Sequence, residues 1–159
     1  MNKLLASALI GAALLGLAAC EVDENTDQIL VSLSVRDNFG QEVSSFSSGE
    51  TVTLVLRVEN DSDRAASIDF DDGQIFDFEI SNSSGAQVWL WSDGMAFTTA
   101  AQSTQFAAGE VRNFSVDWEQ VDNDGNDVPL GSYSAQAELT ANNLDSDQRF
   151  TEVDNFTLQ

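Results

Sequence analysis

The chain has 159 residues, one cysteine, no histidine, and 27 acidic against 6 basic side chains, for a formal net charge of −21. Without histidine, imidazole-based catalysis and Cys/His zinc sites are excluded. A surface this acidic repels nucleic acid and anionic lipid heads, so it reads either as a salt-tolerant surface or as one that meets a basic partner.

Met1 to Lys3 give a short basic start. Leu4 to Leu17 is apolar, broken by Ser7, Gly11 and Gly16. Leu17-Ala18-Ala19-Cys20 follows, and then the acids Glu21, Asp23 and Glu24. This order is that of a secretory signal with small residues before the cut. The apolar stretch falls short of the ~20 residues that a membrane span needs. A lone Cys directly after the cut resembles a bacterial lipobox, whose thiol is acylated and becomes the new N-terminus. One acyl chain (palmitate, for example) holds a protein weakly, so several chains on one Cys make such an anchor durable. The expectation is a signal peptide over 1–19, a lipidated Cys20 with a polar tether over 20–28, and one domain over 29–159. That places the protein in the cell envelope. By resemblance to the enteric sorting rule, Glu21 in place of Asp directs it to the outer membrane, facing the periplasm, where the organism has two membranes.

After the tether the pattern is β throughout. Ile29 to Arg36 alternates, with Val31, Leu33 and Val35 on one face, and Asp37-Asn38-Phe39-Gly40 turns the chain. Gly49-Glu50 opens a long strand with Val52, Leu54, Leu56 and Val58 on one side. Ile68 and Phe70 give a short strand, then Phe76, Phe78 and Ile80 another, ended by Asn82-Ser83-Ser84-Gly85. Val88 to Trp91, Val111 to Glu119, Tyr133 to Leu139 and Phe150 to Leu158 complete the set. Short strands with frequent turns in one all-β domain predict a single immunoglobulin-like antiparallel β-sandwich. The Cys…Trp…Cys pin of antibody domains is absent, so aromatics must fill the space between the sheets.

One segment goes further. Val88-Trp89-Leu90-Trp91-Ser92-Asp93-Gly94-Met95-Ala96-Phe97 follows the strand Phe76 to Ile80 and the turn at Gly85. Then come Gly109-Glu110, Trp118, and Pro129-Leu130-Gly131-Ser132-Tyr133. This resembles the BsuPI domain, a β-sandwich family named after an intracellular proteinase inhibitor of Bacillus. The shared pattern is V-W-x-W-S-x-G-x-x-F, a Gly-Glu pair, a strand ending in Trp and a Pro-x-Gly-x-Tyr strand start, spanning about residues 50–140. The motif residues here are Val88, Trp89, Trp91, Ser92, Gly94, Phe97, Gly109, Glu110, Trp118, Gly131 and Tyr133. The resemblance implies proteinase inhibition. The namesake is cytoplasmic, whereas this chain starts with a lipobox.

Each motif has a plainer reading beside the functional one. Trp89 and Trp91 share a strand face opposite Val88 and Leu90. That suits a central strand between layers, or a strand whose second face binds a partner. Ser92 has no histidine to activate it as a nucleophile, and Ser92-Asp93-Gly94 suits a turn. Asp122 to Asp127 approximates a calcium loop, but its Gly is fourth rather than sixth, and a hairpin turn around Asp-Gly fits better. With 27 acidic residues, nearness of two carboxylates says nothing about glycoside hydrolysis. The expectation is therefore a protein without catalytic residues, cofactor or metal that does not bind nucleic acid. It binds a protein, a serine proteinase being one such partner, through the loop Ser92 to Gln105, with Trp89, Met95 and Phe97 in contact. The alternative is a structural or assembly lipoprotein that binds other envelope proteins.

Overall fold

The computed structural model describes residues 28–151 and 154–159. Cys20, the signal peptide and all but the last residue of the tether lie outside the described residues.

Alternating apolar side chains set the strands. In β1 (Ile29–Arg36) and β3 (Val52–Asn60) they point to one face, and Val52, Leu54, Leu56 and Val58 are fully buried. A two-residue strand, β2 (Ser45–Phe46), lies between them. Next come β4 (Ala66–Phe70), β5 (Phe76–Asn82), β6 (Gln87–Leu90) and β7 (Gln102–Phe106). The chain ends with β8 (Val111–Trp118), β9 (Gly131–Leu139), a single helical turn α1 (Ser146–Arg149) and β10 (Asp154–Leu158).

Two sheets face each other. One has the order β1-β3-β8 and is antiparallel; the other has the order β2-β10-β9-β5-β6. β4 and β7 form a separate two-stranded ribbon. The ribbon is tied to the second sheet where Phe70 bridges Ala141 and the Asn143 side chain bonds the main chain of Asp69 and Ser67. The sandwich is all-β, as the alternation predicts. One pair departs from the antiparallel rule: β2 runs parallel to β10.

The core lies between the sheets. Val52, Leu54 and Leu56 face Phe78, Ile80, Ala135 and Leu139, each at most 0 % exposed. Aromatics close the layer, as the missing disulfide requires. Trp118 is buried, with ring centroids 5.9 Å from Tyr133 and 6.1 Å from Phe156. Its indole N–H donates to the Val121 carbonyl at 2.7 Å, so burial leaves no polar atom stranded. The Tyr133 hydroxyl donates back to the Pro129 carbonyl. This is the tyrosine corner of immunoglobulin-like sandwiches, and Gly131, at φ 148°, supplies a backbone conformation that favours glycine.

Two turns share one construction. In 47–50 and in 107–110 a glycine takes positive φ (Gly49 76°, Gly109 68°). The following glutamate folds back to accept the N–H three residues earlier: Ser47 to Glu50 at 2.9 Å, and Ala107 to Glu110 at 2.6 Å. A buried carboxamide locks each turn. Asn60 donates to the Phe106 and Ala107 carbonyls, and Gln120 donates to the Ser47 and Glu50 carbonyls. The turns feed β3 and β8, the strands that pair.

Candidate functional site

The motif segment lies on one open side of the sandwich, where β6 and β8 end their sheets. β6 is therefore an edge strand, which corrects the central-strand reading. Its neighbours in the motif divide into scaffold and surface.

The scaffold centres on Asp77. Its carboxylate accepts the Phe78 N–H at 2.8 Å, the Gln74 amide at 3.0 Å, the Ser92 N–H at 3.2 Å and the Ser92 hydroxyl. Ser92 thus closes the turn after β6 rather than presenting a nucleophile. The Trp91 N–H continues the β5 pairing to the Phe78 carbonyl at 2.9 Å, and Met95 N–H closes onto the Ser92 carbonyl at 3.0 Å. Gly94 takes φ 71° in that turn. Asp77 alternates as an ordinary polar residue of β5, and the sequence carries no cue that it anchors a turn fifteen residues on.

The surface is aromatic. Phe76 stacks on Trp91 at 4.5 Å and lies 5.1 Å from Phe114 of β8. Phe97 is 6.0 Å from Trp91, and Trp89 is 6.5 Å from buried Trp118. Val88, Trp89, Trp91 and Phe97 are half-buried, whereas Met95 is 48 % exposed. The segment expected as a loop over Ser92 to Gln105 is shorter than that, because Gln102–Phe106 is strand β7, paired with β4. Gln102-Ser103-Thr104-Gln105 is polar on both sides and gave no apolar signal to read. The remaining loop 92–101 is pinned midway by the Gly73 N–H to the Thr98 carbonyl at 2.8 Å. A Cβ on Gly73 would meet the Thr98 hydroxyl at 2.5 Å and its main-chain nitrogen at 3.1 Å, so any larger residue there must push Thr98 aside.

The other motif residues support from beyond the loop. Gly109-Glu110 is one of the two locked turns. Glu110 also accepts Arg112 at 2.7 Å, and that guanidinium, with the Ala107 N–H, holds the carboxyl below its ordinary value. Arg112 in turn lies 4.1 Å over the Phe106 ring. Residues 122–127 form the hairpin turn expected there. The Asp122 carboxylate accepts the Asp124 and Asn126 N–H groups at 3.0 and 2.8 Å, which lowers its pKa. Beside it, Asn123 takes both main-chain groups of Leu90 on β6, at 2.8 Å each. Among the described residues, no group of three or more acidic side chains is placed to hold a metal ion.

On the far face of the second sheet, Glu138 lies in a cavity of about 70 Å³ lined by Asp77, Glu79, Leu90 and Phe150. Burial raises the Glu138 carboxyl above its ordinary value, against the pull of Arg149.

Residues 39–144 match the family model BsuPI, described as an intracellular proteinase inhibitor. No curated protein matches the chain. Solved structures with a similar course include an alkylpurine DNA glycosylase from Pseudomonas fluorescens, at TM-score 0.48 and 12% identity over 83% of this chain and 30% of that one. A β-glucosidase from Listeria innocua gives TM-score 0.44 and 11% identity over 82% and 16%. The CARDB domain of a Pyrococcus furiosus protein gives TM-score 0.42 and 9% identity over 82% and 91%. The chain spans less than a third of the glycosylase and of the glucosidase. None of these likenesses carries an argument about function.

Proposed function

Because the chain belongs to the BsuPI family of intracellular proteinase inhibitors, we propose that it binds and inhibits a proteinase, and does so in the cell envelope. The family match over residues 39–144 carries the reading. Loop 92–101 is the presented segment. Met95 is exposed in its first turn, Phe97 packs on Trp91, and Asp77 fixes its start. A loop stiffened in this way loses little entropy on binding. An exposed Met suits an apolar specificity pocket, and a serine proteinase with such a pocket is the target class. The envelope location rests on the lipobox order around Cys20, and Glu21 after it favours the outer membrane, facing the periplasm. The family description names an intracellular inhibitor, so location is where this chain parts from it.

The test is a titration of the full chain, in detergent, against a panel of serine proteinases, following both substrate turnover and the integrity of the chain. Stoichiometric loss of turnover with an uncut chain supports inhibition. Turnover unchanged across the panel sinks it and leaves the assembly-lipoprotein alternative. Acylation is tested separately: Cys20→Ser must abolish incorporation of labelled palmitate and release the chain from membranes.

A further inference from the structure

Three of the four edges of the two main sheets are short, shifted in register or covered over part of their length. β2 is two residues long. β1 is covered at Val35 by the Val43 N–H, at 3.2 Å, and next to it by the Arg36–Glu42 bridge. β6 is four residues long, has a register shift against β5 at Ile80/Ser81, and is closed at Leu90 by the Asn123 carboxamide. The fourth edge, β8, is eight residues long, pairs with β3 without a register shift, and contains no proline or lysine. Short strands, bulges, prolines and charged side chains are how edges are blunted; β8 has no bulge and no proline, and its charges are Asp117 and an Arg112 already held by Glu110.

Hydrogen-bond alternation shows which groups the edge offers. Asn60 N–H donates to the Glu110 carbonyl at 2.9 Å just before β8. Alternation from that pair turns residues 112, 114, 116 and 118 towards β3. It turns the main chain of Asn113, Ser115 and Asp117 outward. Phe114 and Val116 are half-buried on the inner face, and Phe114 borders the Phe76 ring beneath Trp91. Asn113, Ser115 and Asp117 are exposed on the outer face.

We propose that the β8 edge docks an extended, basic segment of another protein, added as a fourth strand to the β1-β3-β8 sheet. Main-chain pairing gives the affinity and alternate side chains give the selectivity. Apolar residues of the segment extend the layer at Phe114 and Val116, and basic ones meet Asp117. Charge decides the occupant. Two copies of a chain at −21 repel each other, so a second copy is disfavoured where a basic strand is drawn in. Arg112, the one cation on β8, is already matched by Glu110 and does not oppose it. The proposal does not rest on the inhibitor reading.

Amide hydrogen exchange on the full chain tests it, with an eight-residue peptide alternating valine and arginine as the probe. The amides of Asn113, Ser115 and Asp117 are expected to exchange at least about tenfold more slowly with the peptide, and less so in ~0.5 M salt. Unchanged exchange at these amides overturns the proposal. Equal protection by a valine–glutamate peptide overturns the basic occupant. Protection that grows with chain concentration and needs no peptide overturns it in favour of a second copy. Ser115→Pro removes one outward N–H and spares the β3 pairing; a variant that melts like the native chain yet keeps the peptide also overturns it.

Discussion

Asp77 and Ser92 are fifteen residues apart and doubly bonded: one carboxylate oxygen takes the Ser92 N–H and the other its hydroxyl. The bond joins the second residue after β6 to β5, and so sets where the loop begins. A serine in the V-W-x-W-S motif is then a turn residue, and its chemistry is that of a donor to a fixed anion.

Ser92→Ala keeps the main-chain bond and deletes the hydroxyl. A hydrogen bond to a charged, part-buried partner contributes about 1.5–3 kcal/mol, and the loss is expected at the lower end. Urea unfolding at neutral pH measures it. An unchanged midpoint would mean that the main-chain N–H of residue 92, with Gln74 and Phe78, suffices to hold Asp77.

Gln120 sits at φ 60°, the one non-glycine residue with positive φ among those described, and is buried. Its side chain bonds Gly49 N–H, the Ser47 carbonyl and the Glu50 carbonyl. Gln120→Ala keeps the backbone strain and loses all three, at about 2–3 kcal/mol. Gln120→Gly loses the same bonds but relieves roughly 1 kcal/mol of strain. The glycine variant must therefore melt above the alanine variant. The reverse order would show that the side chain, and not the fold, holds the positive φ.

Tyr133→Phe tests the corner. It removes the bond to the Pro129 carbonyl and leaves the ring against Trp118 and Phe156. The expected cost is about 1 kcal/mol, read by thermal melting, with the near-ultraviolet spectrum of Trp118 retained.

Glu110 is held below the ordinary carboxylate range by Arg112 and then by the Ala107 N–H. Its folded value is lowered, so its contribution is complete above the unfolded value of 4.5 and is lost as pH falls through the folded value. Glu59 and Asp122 act in the same direction, while Glu138, raised by burial, acts in the opposite one. In Glu110→Gln the fall in stability below pH 4.5 must be shallower than in the native chain. Denaturant midpoints across that range, at fixed salt, check it. Parallel curves would mean that the turn at 107–110 does not respond to its carboxylate.

Met95→Ala and Phe97→Ala separate surface from support. Met95 is 48 % exposed, so its removal should change stability by less than about 0.5 kcal/mol. Phe97 packs on Trp91 and should cost about 1–2 kcal/mol. If the loop is the inhibitory segment, Met95→Ala weakens inhibition while leaving the fold alone. Inhibition equal to the native chain's would remove the loop from the contact surface.

The strands with strict alternation were legible, β1, β3, β5, β8 and β9 above all, because one face of each is buried and writes a period of two. β7 was not: Gln102 to Phe106 pairs with β4 on a ribbon with a polar side, so only Phe106 is apolar and buried. The parallel β2 pair was not legible either, since two residues carry no period. α1 is a single turn without a buried residue. Of the last stretch read as one strand from Phe150, β10 is Asp154–Leu158, while Phe150 holds an isolated bridge to Glu138 and the Thr151 N–H bonds the Ala137 carbonyl. At the site, the aromatics were visible as a motif, but the partner of Ser92 was not. Asp77 is an ordinary alternating polar residue until the fold carries Ser92 to it.

The latches on the two glycine-glutamate turns are amides. Salt at ~0.1 M screens exposed charges more than roughly 10 Å apart and weakens closer ones as it rises, and acid discharges carboxylates, but Asn60 and Gln120 carry no charge to lose. Brine and acid can weaken the glutamate half of each turn, while its carboxamide half stays fastened. A chain with a net charge of −21 therefore has, at the entrance to each paired strand, a fastening indifferent to ionic strength. Moving the protein between dilute and concentrated media changes how its surface attracts partners far more than how its sheets begin.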